Sequence, residues 1–304
     1  MLNRRDFVTQ LTATAAVALA GLPLSVAAAP VLTKAIPTSG EPLPVIGMGT
    51  WITFNVGADP AALAVRAQIL QAFFAGGGGV IDSSPMYGSA EAVLGRLLPR
   101  LEDTQGLFAA TKVWTRSGLA GPIEIAESRR LWGVERFDLL QVHNLLAWQE
   151  HLETLKQMRA AGEVGHIGVT TSHGRRHREL ERIMRKEPLD FVQLTYNIAD
   201  RQAEERLLPL AEERGIAVIA NRPFRRKELI HIAESHPLPG WAAEIGCRTW
   251  AQALLKFVVS HPAVTCAIPA TSQVAHMREN MAAAAGPLPD AALRQRMAKD
   301  FAAL

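Results

Sequence analysis

Residues 79–144 decide the fold, and they read in order GVIDSS (79–84), PMYGSAEAVLGRLLPRLEDTQG (85–106), LFAATKVW (107–114), TRSGLAGPIEIAESRRLWGVER (115–136) and FDLLQVHN (137–144). Three of these runs, Gly79–Ser84, Leu107–Trp114 and Phe137–Asn144, are apolar nearly throughout. Parallel strands covered by helices on both faces have that character. Longer amphipathic segments, 89–101 and 122–132, lie between them. The alternation continues outward in both directions. Further strand runs fall at 45–50, 166–171, 191–196, 216–221 and 265–270. Further helices fall at 60–75, 148–161, 175–186, 203–214 and, after a longer insert, 248–260. Eight strands alternating with helices predict an α/β fold, a (β/α)8 TIM barrel in a single domain. An open doubly wound sheet is the competing architecture. The glycine run Gly76–Gly79 follows a helix and precedes a strand. It therefore reads as a helix stop and turn, because a phosphate-cradling loop sits after a strand and opens a helix. No GxGxxG pattern occurs, which disfavours a Rossmann-type dehydrogenase.

The composition agrees with a globular chain of 304 residues, 48% hydrophobic and 20% charged. The net charge of +3 comes from arginines scattered along the chain, so no nucleic-acid partner is expected. Two cysteines, Cys247 and Cys266, exclude a disulfide framework and any CxxC metal site. Cys266 falls in a strand run and is expected to be a small buried hydrophobe; a bridge to Cys247 is not expected.

The first residues, MLNRRDFVTQLTATAAVALAGLPLSVAAAP, have a charged start, an Ala-rich apolar middle and a small-residue end. Arg4-Arg5 followed by Phe7 resembles a twin-arginine export signal. Residues 1–29 are therefore expected to be a signal peptide and 30–304 the barrel. The resemblance implies the twin-arginine translocation machinery as a partner, a periplasmic destination and no stable membrane anchor. An uncleaved anchor is the competing reading.

In a barrel of this kind, chemistry sits at the C-terminal ends of the strands. Asp82 ends one run, Tyr87 lies in the loop after it, Lys112 sits inside the next run and His143 ends the third. A lone ammonium in an apolar strand costs several kcal/mol, so Lys112 calls for a carboxylate, and Asp82 on the neighbouring strand is the natural one. Each of these residues alone has a purely structural reading; four together at equivalent strand ends point to a site.

Several stretches resemble the aldo-keto reductase family over essentially all of 40–300: Gly47–Trp51, Asp82–Glu91, Thr111-Lys112, Gln141–His143, Gly165–Val169, Gln193–Asn197, and Ile268-Pro269 through Glu279-Asn280. The resemblance implies an NAD(P)H-dependent oxidoreductase reducing aldehydes or ketones, with Asp82, Tyr87, Lys112 and His143 as its catalytic tetrad. Tyr87 would be the general acid and the Lys112 cation would lower its pKa toward the working range. His143 would orient the carbonyl oxygen, and the cofactor would carry the hydride. Candidate cofactor contacts are Thr50, Trp51, Thr170, Gln193, Asn221, Thr271, Glu279 and Asn280.

The cofactor side departs from the family. Thr170-Thr171 stand where Ser-Asn is common, and Asn221 stands at the usual aromatic position, for which Trp51 or Phe224 could substitute. Ala270 and His276 replace cations common around the 2′-phosphate, yet NADP(H) is expected over NAD(H). A permissive substrate pocket for small carbonyl compounds is expected from Trp51–Phe54, Met86, Trp114, Leu145 and Trp148. The altered cofactor side keeps open a second role, a cofactor-binding sensor or interaction protein with little turnover. A metal-dependent barrel hydrolase has no His-x-His ligand pair to support it.

Overall fold

The computed structural model describes residues 31–304; the export signal read in residues 1–29 lies outside them. A hairpin opens the described part: β1 (Thr33–Ala35) and β2 (Pro42–Pro44) pair antiparallel. Strand and helix then alternate. β3 (Met48–Gly49), α1 (Pro60–Ala75), β4 (Val80–Asp82), α2 (Ala90–Leu97), β5 (Phe108–Val113), α3 (Gly121–Trp132) and β6 (Phe137–Val142) form the first half. α4 (Trp148–Ala160), β7 (Val164–Thr170), α5 (His177–Lys186), β8 (Phe191–Thr195), α6 (Leu207–Arg214) and β9 (Ala217–Asn221) follow. Two short helices, α7 (Glu228–Glu234) and α8 (Trp241–Glu244), fill the insert before α9 (Trp250–Val259) and β10 (Val264–Ala267). The chain ends with α10 (Val274–Ala282) and α11 (Ala291–Ala302).

β3 to β10 hydrogen-bond in chain order, each neighbouring pair parallel. The seam between first and last closes through a parallel bridge of Ile46 with Ala267. There Gly47 N–H donates to the Ala267 carbonyl (2.8 Å) and Ala267 N–H to the Val45 carbonyl (2.9 Å). The result is a (β/α)8 barrel.

The period-2 alternation of the strands separates two cores. Ile81, Ala109, Leu140, Val142, Val169 and Val192 face the helices in one large cluster. Val80, Phe108, Ala110, Leu139, Phe191, Ala217, Ile219 and Cys266 fill the barrel interior, joined by Ile36 and Leu43. Those last two flank the hairpin turn, so β1 and β2 plug the end where the strands begin. Lys34 fixes the plug by donating to the carbonyls of His261 (2.7 Å) and Val264 (2.6 Å). Burial lowers its pKa to about 8.

Some boundaries differ from the sequence expectation for local reasons. The helix expected over 89–101 ends at Leu97 and continues as a 3-10 turn, Leu98–Arg100, because Pro99 offers no N–H to an α-helical ladder. The helix expected over 203–214 becomes a 3-10 turn, Gln202–Glu205, and then α6, whose first turn holds Pro209. Gly76 caps α1 and Gly77 takes a left-handed φ of 78°. Cys247 and Cys266 are both buried free thiols. No helix among the described residues is long and apolar enough to cross a membrane.

Candidate active site

The interior parity that packs the barrel also builds the site. Two residues beyond Val80 stands Asp82; two beyond Ala110, Lys112; beyond Leu139 come Gln141 and His143; beyond Phe191, Gln193; beyond Ile219, Asn221. Each strand therefore carries apolar residues through the closed half of the barrel and polar ones at its C-terminal end. The register β4–β5 sets Asp82 beside Ala110, and β5–β6 sets Lys112 beside Gln141.

Lys112 is fully buried, and its Nζ donates to Asp82 Oδ2 (2.5 Å) and to the Ser83 carbonyl (2.7 Å). Burial works against its charge, but Asp82 and Tyr87 hold its pKa above the ordinary lysine value. Asp82 Oδ1 accepts from Gln193 Nε2 (2.9 Å) and Gln141 Nε2 (3.2 Å). The Thr50 hydroxyl donates to the Asp82 carbonyl (3.0 Å). This carboxylate is thus satisfied from three strands, which is the condition for keeping a buried ion pair. Next to it, the buried Glu91 carboxylate accepts from Thr111 Oγ1 (2.6 Å), Ser128 Oγ (3.0 Å) and Trp132 Nε1 (3.2 Å), tying α2 to β5 and α3.

Tyr87 closes a 3-10 turn, Pro85–Tyr87, whose start is capped by Ser84 accepting from Met86 N–H (3.2 Å). Gly88 ends the turn at a left-handed φ of 64°, where a Cβ would collide with Asn55. The turn sets the Tyr87 ring with its centroid 5.1 Å from Lys112 Nζ, and 5.7 Å from the His143 ring, edge to face. Burial raises the Tyr87 pKa above 10, Lys112 pulls it down and Asp82 pushes it up; the net direction is upward. The Lys112 cation thus acts in the direction expected from the sequence, and desolvation outweighs it. The phenol is consequently a protonated donor throughout the neutral range.

His143 is buried, and its pKa is lowered to about 3, first by burial and then by Lys112. The ring is neutral at pH 7. Its Nδ1 lies 2.9 Å from Ser84 Oγ. Ser84 Oγ also accepts from Met86 N–H (3.2 Å), so one hydroxyl joins the turn that carries Tyr87 to the imidazole.

Above these groups opens a cavity of about 670 Å³. Asp82, Tyr87 and His143 line it, with Thr50, Trp51, Thr170, Gln193 and Asn221 of the expected cofactor contacts. Asn221 Nδ2 donates to the Thr171 carbonyl (2.9 Å), and its Oδ1 accepts from Thr195 Oγ1 (2.7 Å). Trp51 and Phe224 line the cavity as well. Thr271, Glu279 and Asn280 are not among its lining residues; Thr271 and Asn280 are buried at the start and end of the segment that carries α10. Of the expected substrate-pocket residues, Trp51, Ile52, Thr53 and Met86 are present. Phe54 and Leu145 are buried in the core, and Trp148 lines a separate small cleft between α4 and α5. Trp114, although 43% exposed, lies outside the cavity lining.

The sequence reading missed Ser84, Gln141 and a basic rim. Gln141 was visible in the interior parity between Leu139 and His143; Ser84 and the rim carry no periodic signal. His173, Arg175 and Arg176 from the loop after β7, and Arg222, Arg226 and Lys227 from the loop after β9, line the cavity. Among the described residues, Asp82 is the one acidic residue lining it, and Lys112 already neutralises it. Several rim residues take left-handed backbone: His173 (φ 61°), Arg176 (60°), Arg222 (54°), Arg226 (57°) and Lys227 (76°). Non-glycine residues there cost about 1 kcal/mol or more each, and such strain gathers at functional sites.

Comparison with known proteins follows the same lines. Residues 45–228 match the Aldo/keto reductase family. A methylglyoxal reductase of Escherichia coli (strain K12) is 26% identical over 265 residues, covering 82% of this chain and 88% of its own length. An NADH-specific methylglyoxal reductase of the same organism is 27% identical over 249 residues, covering 69% of this chain and 73% of its own. An aldo/keto reductase of Klebsiella pneumoniae, solved in complex with NADP and acetate, superposes with a TM-score of 0.70 at 24% identity, covering 86% and 93% of the two chains. With the barrel and the family match in agreement, the chain belongs to the aldo/keto reductase family.

Proposed function

We propose that this protein reduces small aldehydes or ketones to alcohols, with Tyr87, Lys112, Asp82 and His143 as its catalytic group and a nicotinamide dinucleotide as its reductant. The observation that carries the reading is the buried Lys112–Asp82 pair lying under Tyr87 and beside His143 at the open end of the barrel. The cavity fits such a cofactor. The buried hydroxyls of Thr53 and Thr171 and the Nη1 of Arg222, all from residues lining it, have no hydrogen-bond partner among the described residues. Gln193, Asn221, Thr170 and Thr171 would hold the nicotinamide end, and Trp51 and Phe224 would pack against it. When bound, the reduced nicotinamide supplies the hydride.

The protein's own residues supply the rest. The Nε2–H of neutral His143 donates to the substrate carbonyl oxygen and orients it. As the carbonyl carbon gains a hydride and its oxygen gains charge, Tyr87 transfers its phenolic proton to that oxygen, yielding the alcohol. The tyrosinate left behind is stabilised by the Lys112 ammonium, and Asp82 keeps that ammonium charged and in place. Regeneration requires that Tyr87 take a proton from solvent and that a reduced dinucleotide replace the oxidised one. A complete proton-transfer group favours turnover over the sensor role.

Two relatives named as methylglyoxal reductases make methylglyoxal the first substrate to test. NADP(H) is proposed over NAD(H). It is supported by the surplus of cations around the cavity and by the NADP bound in the Klebsiella protein; the NADH-specific relative is the counterweight. Export by the twin-arginine machinery to the periplasm is likewise proposed, on Arg4-Arg5 and the Ala-rich run to Ala29, which makes residues 30–304 the working domain. The decisive experiment is oxidation of NADPH and NADH by the purified protein with methylglyoxal and a panel of simple aldehydes. Tight dinucleotide binding without turnover of any of them would replace the reductase reading by the sensor.

A further inference from the structure

We propose that the open end of the barrel docks on an anionic membrane surface, with Trp114, Leu119 and Ile123 entering the lipid and Arg116, Arg175 and Arg178 meeting its headgroups. Seven large apolar side chains are exposed among the described residues, and five of them belong to three consecutive connections at that end. Ile52 follows β3, Met86 follows β4, and Trp114, Leu119 and Ile123 follow β5. Leu119 is 89% exposed and Ile123 72%. They stand one helical turn apart, because the 3-10 turn Gly118–Ala120 runs directly into α3. Exposed apolar groups gathered in this way mark a contact surface.

The loop that carries these side chains is held from beneath. Trp114 N–H donates to Glu124 Oε2 (2.5 Å), Gly118 N–H donates to Glu150 Oε2 (2.8 Å), and His151 Nε2 lies 2.8 Å from the Thr115 carbonyl oxygen. Both carboxylates are thus engaged by the loop's own backbone. Arg116 in this loop, and Arg175 and Arg178 where β7 leads into α5, are exposed and form no ion pair among the described residues. Arg176 joins that corner to the loop after β6 by donating to the Asn144 carbonyl (2.7 Å). Apolar tips and unpaired cations therefore share one rim.

Charge decides the occupant. A second copy meeting this face about a two-fold axis would set the same unpaired arginines against one another. An anionic lipid surface neutralises them and covers the apolar tips at once. It does so for separate protrusions around a cavity mouth, with no matching groove required on the partner. A tryptophan accompanying Leu119 and Ile123 is the composition that settles at headgroup level. Held this way, the cavity mouth faces the lipid, and apolar aldehydes dissolved there reach Tyr87 directly; only this consequence rests on the proposed reductase function.

The test uses the full chain with Ser117→Cys carrying a polarity-sensitive fluorophore, which labels selectively because Cys247 and Cys266 are buried. Ser117 is exposed in the same loop, so its signal reports this rim and not residues 1–29. Vesicles of phosphatidylcholine mixed with phosphatidylglycerol should blue-shift the probe. Phosphatidylcholine alone should do so far less, and added salt should weaken the response. In the same labelled background, Leu119→Ser/Ile123→Ser should weaken the vesicle titration by at least about tenfold, and Arg116→Gln and Arg178→Gln by about fivefold each. All four side chains are exposed, so the melting temperature should stay that of the parent. Reduction of methylglyoxal in solution should be unchanged in Leu119→Ser/Ile123→Ser, while KM for a long-chain aldehyde carried in the vesicles rises. A probe unmoved by anionic vesicles, or moved equally in parent and variants, overturns the inference. So does a shift that appears on concentrating the protein without lipid, together with a dimer in sedimentation, which assigns the face to a second copy. A parent protein that reduces no aldehyde defeats the reductase reading instead, and the probe still decides the docking.

Discussion

Ser84 Oγ lies 2.9 Å from Nδ1 of His143, and the same oxygen accepts the Met86 N–H. One hydroxyl therefore starts the turn that carries Tyr87 and holds Nδ1 of the imidazole, and we propose that it donates there and keeps the ring proton on Nε2. Ser84→Ala should redistribute the neutral ring between its two tautomers and lower kcat roughly three- to tenfold, the worth of one neutral hydrogen bond. The nitrogen chemical shifts of His143 report the tautomer directly, and Ser84→Thr should restore both shift and rate. Unaltered shifts in Ser84→Ala would show that another contact fixes the ring.

Tyr87→Phe removes the proton donor and little else, since the ring edge toward His143 is kept. Carbonyl reduction should fall by at least about 100-fold, with dinucleotide affinity and melting temperature close to those of the parent. A variant with full activity would exclude Tyr87 as the acid.

The difference between what was legible in the sequence and what was not follows from periodicity. The runs at 107–114 and 137–144 could be read as strands because both their faces are buried, and Lys112 and His143 stood out because they break an apolar pattern. The hairpin was hidden: three-residue strands, one with a proline at each end, carry no alternation to detect. The cavity walls were read less well than its floor. Phe54, Leu145 and Trp148 have the composition of pocket residues, but which way a loop side chain turns depends on backbone angles that composition does not encode. His173–Arg176 and Arg222–Lys227 went unread for the same reason; left-handed φ at most of these positions accompanies their place on the cavity rim. Ser84 is a small polar residue among others until His143, 59 positions on, is brought beside it.

The pKa of about 3 at His143 has a consequence for stability as well as for rate. The folded protein resists a proton that the unfolded chain takes up below about pH 6.5. The contribution of the neutral ring is therefore fully present above about pH 6.5 and is lost as the pH falls toward 3, by at most about 1.4 kcal/mol per pH unit. His143→Gln should flatten this part of the stability curve measured by urea unfolding. In the parent protein, kcat should show no inflection between pH 6 and 7 from this residue.

Export can be tested apart from catalysis. Replacing Arg4 and Arg5 by Lys should leave the protein in the cytoplasm, because the paired guanidinium groups are the distinguishing feature of the proposed signal. If the barrel folds around its cofactor before translocation, protein recovered from the exported fraction should carry bound nicotinamide nucleotide. Holding it after dilution requires nanomolar affinity, about −12 kcal/mol. Uniformly nucleotide-free exported protein with micromolar affinity would place the enzyme's work before export.

Lys112→Met separates the structural from the catalytic role of the cation. Without the ammonium, Asp82 keeps the amides of Gln141 and Gln193 but is left as a buried charge with no counterion. Loss of one member of such a pair should destabilise the fold by about 3–5 kcal/mol, and Asp82→Asn in the same chain should recover much of that, since an amide needs no counterion. The catalytic effect does not recover with it. Lys112 pulls the Tyr87 pKa down against the desolvation that raises it, so its removal raises that pKa further. Tyr87 then stays protonated to higher pH, and the alkaline limb of the rate profile should move upward. The maximal rate should nevertheless fall, because the tyrosinate formed by proton transfer has lost its cation. The Asp82→Asn/Lys112→Met double variant, stable enough to assay, should show the raised limb and the low plateau together. A double variant that regains the parent's rate and pH profile along with its stability would reduce Lys112 to a packing element and break its coupling to Tyr87.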